Sequence, residues 1–165
     1  MVVQQTRLDD QTISESVFIQ LDAIKDPEIP SVSVRELGMV RSVDVIDGHV
    51  SIEMLPTFVG CPALEIIRRN VEGEIAKVEG AQDVTVQFVM TEPWTSDRIT
   101  DDGIEKLRRF GIALPVREGD KKIRPTCPYC GKGDTNVENL FGPTACRAIF
   151  YCNSCGQPFE AMKRV

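Results

Sequence analysis

Two short cysteine pairs near the C-terminal end, Cys127-Pro-Tyr-Cys130-Gly and Cys152-Asn-Ser-Cys155-Gly, constrain this chain more than any other feature. Two residues between the cysteines let both sulfurs of a pair reach one ion, and the following glycine lets the backbone close in on them. The 21 residues between Cys130 and Cys152 are near the span needed when strands join two such turns. Residues 135–139, 146–151 and 157–163 read as those strands. The expected unit is a ribbon over residues 125–165 in which Cys127, Cys130, Cys152 and Cys155 hold one zinc. That zinc is structural, because four thiolates leave no position for a substrate. A segment of ~40 residues with few apolar side chains needs such an ion to fold. Two disulfides, or an iron in place of zinc, are the other readings of four thiols. Cys146 breaks the spacing and reads either as a small buried hydrophobe or as a reactive thiol.

The rest of the chain sets the surroundings. Hydrophobic residues make up 42% and charged residues 27% of 165, the proportions of a soluble globular protein. No apolar run reaches the ~18–20 residues of a membrane span, and the first residues lack the layout of a signal peptide. A cytoplasmic, reducing location is therefore expected, where paired cysteines point to metal. The net charge of −6 is unevenly divided: residues 121–165 carry seven Lys/Arg against three acids, residues 1–120 twelve against twenty-two. An acidic body argues against nucleic acid, and the asymmetry argues for different partners at the two ends. His49 is the only histidine, and no nucleophile triad, phosphate loop or catalytic-zinc motif is present, so no enzyme activity is expected.

Between residues 12 and 111 the pattern predicts a small α+β domain of order αββαβα, with helices packed on a short sheet. Residues 1–11 read as a flexible terminus. Thr12 and Glu15 suggest a capping box for a helix with Ile13, Val17, Leu21 and Ile24 on one face, stopping near Asp26 before Pro27. Alternating residues flank Asp47-Gly48 as two strands of a hairpin. A helix with Leu64, Ile67, Val71, Ile75 and Val78 on one face starts at Pro62, and Val84, Val86 and Phe88 mark a third strand. A last helix spans about 100–110 and ends at Gly111, and residues 112–124 read as a charged linker.

Cys61 falls at the expected N-cap or N1 edge of the second helix, where free amides and the macrodipole favour a thiolate. Gly60 permits close approach and Thr57 adds a hydroxyl. Asp26 and Glu28 flank Pro27 and form either a carboxylate pair or a simple helix-end turn. The segments at 26–40, 56–63 and 91–100 carry Asp-Pro-Glu, Thr-Phe-Val-Gly-Cys-Pro and Pro-Trp-Thr in this order. They resemble the small α+β domain of iron–sulfur assembly factors of the SufT and ApbC-like kinds, although Val59 stands where that domain usually has proline. With the ribbon, and with Phe-Gly-Pro-Thr-Ala-Cys-Arg-Ala ahead of its second cysteine pair, the chain from about residue 14 resembles the PaaD/PaaJ family.

That resemblance implies an accessory role in phenylacetate breakdown, supporting a phenylacetyl-CoA epoxidase (ring 1,2-oxygenase) that has a di-iron subunit and an iron–sulfur reductase. The implied partners are those components, and the implied task is assembly of an iron–sulfur or di-iron centre. Cys61, helped by Asp26, Glu28 and Thr57, would be the transient iron or cluster site. The rival expectation is a non-catalytic scaffold, docked through the opposite charges of ribbon and body.

Overall fold

The first helix, α1 (Asp10–Ala23), begins three residues earlier than the Thr12 pattern suggests. Asp9 is the cap: its carboxylate accepts the Thr12 amide at 2.8 Å. Asp10 then accepts the amides of Asp47 and Gly48 at 2.9 and 3.0 Å, tying the helix start to the hairpin turn. The computed structural model describes residues 8–115 and 124–163, so residues 1–7 of the expected flexible terminus lie outside it. Ile13, Val17 and Leu21 are buried along one face of α1, and the helix ends at Ile24.

Strands β1 (Val40–Ile46) and β2 (His49–Met54) pair antiparallel across Asp47-Gly48. Both turn residues have positive φ, 52° and 81°, as a tight two-residue hairpin turn demands. From β2 the chain passes through α2 (Leu64–Ile75) to β3 (Asp83–Phe88), which lies parallel to β2. The sheet order is β1-β2-β3. Val50, Ile52 and Met54 of the central strand are buried while His49 and Ser51 are exposed, so one face of the sheet is covered. Helices α1 and α2 pack on that face, as expected for this α+β class.

The segment 25–39 is irregular but not loose. Val32, Val34, Leu37 and Met39 are all fully or almost fully buried. Gly38 has φ +68°, and a Cβ there would fall 2.3 Å from the carbonyl oxygen of Arg98, so only glycine fits. Trp94 is buried and donates its indole N–H to the Leu37 carbonyl at 2.8 Å. Helix α3 (Asp101–Arg109) is capped by Thr100, and Gly111 ends it at φ +86°.

The second sheet is the ribbon. It has β4 (Ile112–Ala113), β5 (Thr135–Asn139), β6 (Arg147–Cys152) and β7 (Pro158–Met162), in the order β4-β7-β6-β5. The stretch read as linker therefore opens with a strand: Ile112 and Ala113 are buried and pair parallel with Glu160 and Ala161. Two residues carry no periodicity, so the charged residues that follow conceal this strand. Residues 116–123 of that stretch lie outside the described residues. Ile112 and Met162 join the core of the body, so the ribbon is docked on the α+β domain and does not trail from it. Phe150 stacks on Phe159 at 5.7 Å between ring centres, over Cys127, Cys152, Ala113 and Ala161. Among the described residues no helix is long and apolar enough to cross a membrane.

Candidate functional site

The two cysteine turns of the ribbon repeat one set of hydrogen bonds. Cys127 donates its amide to Lys132 and accepts from Gly131, at 2.9 and 3.0 Å. Cys152 donates to Gln157 and accepts from Gly156, at 3.0 and 2.8 Å. Gly131 and Gly156 share a φ near +70°, at 73° and 72°. This fold of the backbone aims both pairs of sulfurs inward. All four Sγ atoms lie within 4.8 Å of one another. Cys127 to Cys155 is 3.8 Å and Cys130 to Cys152 is 3.5 Å. A metal at about 2.3 Å from four tetrahedral sulfurs sets neighbouring sulfurs about 3.8 Å apart, so the donor set fits one ion. The cysteines are free thiols, at spacings well beyond a disulfide's ~2.05 Å. Burial, with contacts to the other three thiols, pushes Cys155 up to about 12. Burial opposes ionisation of Cys152 as well, but the Cys155 amide and the Cys130 thiol outweigh it and bring it to about 7. Four thiols so close compete for one negative charge, and a divalent cation removes that conflict.

The body holds a second group of polar side chains. Asp26 is only 8% exposed, and its Oδ1 accepts the amides of Glu28 and Ile29 at 2.8 and 3.0 Å. This turn around Pro27 is the helix-end turn that the sequence admits, and it places Glu28 beside Asp26. Burial pushes the Asp26 carboxyl above its ordinary range, against the pull of those amides and of Arg147. Glu28 is pushed up by burial and by the Asp26 charge, again opposed by Arg147. Thr57 is buried and Cys61 half-buried on the loop after β2.

The position of Cys61 corrects the expectation for its chemistry. The Cys61 amide donates to Phe58 at 3.1 Å and Leu64 donates to the Cys61 carbonyl at 3.4 Å, so two successive turns precede the helix. Pro62 sits in the second turn, the cap is Ala63, and α2 starts at Leu64. Cys61 thus stands two residues ahead of the cap rather than at it. Burial raises the pKa of its thiol; the Ala63 amide opposes this, while Glu28, Cys146 and Asp26 add to it. A thiolate stabilised by the helix is not what this geometry provides. Burial and the nearby Glu28 and Asp26 instead oppose its ionisation.

Two further residues act here that sequence reasoning did not assign to this place, Cys146 on the Cys61 thiol and Arg147 on Asp26 and Glu28. Cys146 is buried at the start of β6, with its sulfur 3.2 Å from the Thr144 hydroxyl. Its carbonyl accepts the Lys163 amide at 2.7 Å, and the Lys163 ammonium reaches over the Phe58 ring at 6.0 Å. Arg147 is 5% exposed, donates to Thr144 at 2.8 Å and to Glu160 at 2.5 Å, and acts electrostatically on both Asp26 and Glu28. The signal available beforehand was an arginine opening an otherwise apolar strand, next to a cysteine outside the metal-binding spacing.

Both halves match known families. Residues 14–88 match the family described as iron-sulfur cluster assembly protein, and residues 114–163 match the PaaD zinc beta ribbon domain. An Fe-S protein maturation auxiliary factor of Porphyromonas gingivalis (strain ATCC BAA-308 / W83) is 32% identical over 56% of this chain and 89% of its own. The solved structure of a domain of unknown function from Bacillus anthracis superposes with a TM-score of 0.54 at 25% identity, over 57% of this chain and 90% of that one. A protein of Escherichia coli (strain K12), provisionally named as a component of 1,2-phenylacetyl-CoA epoxidase, is 35% identical over 89% of this chain and 90% of its own. With both domains matched in one order and nearly the whole length shared with that last protein, the chain belongs to the PaaD family, an iron–sulfur-assembly domain joined to a zinc beta ribbon.

Proposed function

We propose that this protein is a cytoplasmic, non-catalytic maturation factor of a phenylacetyl-CoA epoxidase system. It hands iron, or an iron–sulfur cluster, to the reductase or to the di-iron oxygenase subunit. The observation that supports this reading is that Glu28 and Asp26 act electrostatically on the Cys61 thiol of the assembly domain, against which the ribbon is packed. A thiol and two carboxylates whose ionisation is opposed by burial combine soft and hard donors, which suits transient more than permanent holding of a cation. Thr57 is buried in the same loop as Cys61. The four ribbon thiols hold zinc, which fixes the ribbon and leaves no open position for chemistry. A scaffold for the oxygenase components is the second reading. It is favoured by the exposed aromatic face of the ribbon, where Phe141 is 80% and Tyr129 57% exposed.

The test is to produce the oxygenase components in cells carrying either the wild-type protein or Cys61→Ala, and to measure iron in each purified component. Maturation predicts iron-poor reductase or oxygenase with the variant, several-fold below wild type, while the variant itself stays folded and zinc-loaded. Scaffolding predicts full iron with Cys61→Ala and loss of the complex on Tyr129→Ala with Phe141→Ala. Normal iron loading in every component would overturn maturation.

A further inference from the structure

A groove of about 560 Å³ opens where the end of α3 meets the ribbon. Phe110 comes to it from the body, Tyr129 from the first cysteine turn and Phe141 from the loop before β6. Ile149 and the buried Phe159 line it from the sheet. The first three rings are 47%, 57% and 80% exposed, so all of them stand in water at the groove. Single exposed apolar residues are ordinary, but three rings gathered on one concave surface mark a place that a partner covers. The charge around the groove is one-sided. Glu160, the acid in its wall, is taken by Arg147 at 2.5 Å. Arg108 reaches the Pro128 carbonyl at 3.4 Å, beside Tyr129, and shares the Glu105 carboxylate with Arg109. The Lys163 ammonium lies 5.6 Å over the Phe141 ring and has no acidic partner among the described residues. Two arginines on one carboxylate and an ammonium on a ring leave the rim cationic.

We propose that this groove seats an acidic segment of a partner protein, with a bulky apolar side chain among the rings and carboxylates on Lys163 and the Arg108–Arg109 pair. Burying the apolar anchor against three rings supplies affinity, and the cationic rim selects and orients the flanking acids. Other occupants fit the charge less well. A second copy docked about a twofold axis would set each cationic rim against itself. The segments of this chain outside the described residues are not acidic: residues 1–7 have Arg7 and no acid, residues 116–123 have three basic side chains against two acids, and residues 164–165 have Arg164 alone. Nucleic acid meets a chain whose net charge is −6. Lys163 also lies 6.0 Å over the ring of Phe58, whose carbonyl accepts the Cys61 amide. A carboxylate on Lys163 therefore stands next to the Cys61 loop, and the docked segment touches both domains. The groove serves a client that is matured and a client that is only held, so this inference goes beyond both readings of the function and depends on neither.

The probe is a dye-labelled peptide, Asp-Glu-Asp-Trp-Leu-Asp-Glu with blocked ends, added to zinc-loaded full-length protein and followed by fluorescence anisotropy. Wild type should bind it with a Kd of about 10–100 µM, more weakly as salt is raised. A peptide with Lys in place of every acid, and one with Ala in place of Trp and Leu, should bind at least about tenfold more weakly. Phe141→Ser with Tyr129→Ser should cost at least about tenfold in affinity, and Lys163→Glu several-fold. Amide hydrogen exchange on wild type needs no variant to fold, and the peptide should slow it in residues 141–143 and 158–160. No saturable binding by about 1 mM peptide, equal binding of the lysine peptide, or protection confined to other residues would overturn the proposal. Tighter binding of a dye-labelled oligothymidylate that protects the same residues would give the groove to single-stranded nucleic acid instead. Light scattering that shows a dimer, lost on Phe141→Ser, would give it to a second copy, and either result overturns the acidic segment.

Discussion

Replacing Arg147 with methionine tests how much one buried charge of the ribbon contributes to the fold. The guanidinium is 5% exposed and donates to Thr144 at 2.8 Å and to Glu160 at 2.5 Å, while its field acts on Asp26 and Glu28. Methionine matches the stem of the side chain, so packing changes little. Removing one partner of a fully buried ion pair costs about 3–5 kcal/mol, because the other charge is stranded. The Glu160 side chain is 32% exposed and can rehydrate, which brings the expectation down to about 2–3 kcal/mol. At about 2–4 °C per kcal/mol for a chain of this size, thermal unfolding should fall by about 4–12 °C. The loss should also grow with pH. Arg147 lowers the pKa of Asp26 and Glu28, so without it both rise further, and their ionised forms destabilise the fold more above that range. Thermal unfolding followed by near-ultraviolet circular dichroism between about pH 4 and pH 8 measures both effects. A melting temperature lowered by less than about 2 °C would refute the energetics of the Arg147–Glu160 pair, and a loss equal at both ends would remove Asp26 and Glu28 from the effect.

Two further outcomes follow from the same geometry. Cys127→Ser with Cys155→Ser should remove about one zinc per chain and unfold the ribbon, measured by elemental analysis and by proteolysis; zinc retained in full would refute the four-thiol site. The body should remain folded but weakened, because Ile112 and Met162 leave its core. Asp26→Asn should be as stable as wild type at pH 7 or more so, against the usual loss of about 1 kcal/mol, since the amide oxygen can still accept from Glu28 and Ile29. Burial raises the Asp26 pKa, so its stabilising contribution is complete below the ordinary 3.8 and is lost as pH rises through the folded value. The advantage of the variant should therefore vanish at low pH in denaturant titrations. A variant less stable at pH 7 than at pH 4, relative to wild type, would contradict the sign.

What could be read beforehand was whatever a local pattern encodes. The two cysteine turns were legible because their hydrogen bonds and positive-φ glycines lie within seven residues of each other in each copy. The helices and strands were legible from their periods, and only their ends moved, as when Asp9 displaced Thr12 as the cap. Cys61 was misplaced by two residues for a similar reason: Pro62 suits a turn as well as it suits a first helical position. Burial then decided its pKa, and burial is a property of the packed molecule. The partners of Cys61 were hidden by distance along the chain, since Asp26, Cys61 and Cys146 belong to three segments that only tertiary packing unites. Strand β4 was hidden for the opposite reason, being too short to show a period, yet its pairing with β7 sets the ribbon on the body. Its two residues thereby help to bring Cys146 within electrostatic reach of Cys61. The candidate site thus lies beside the part of the fold that local pattern encodes least.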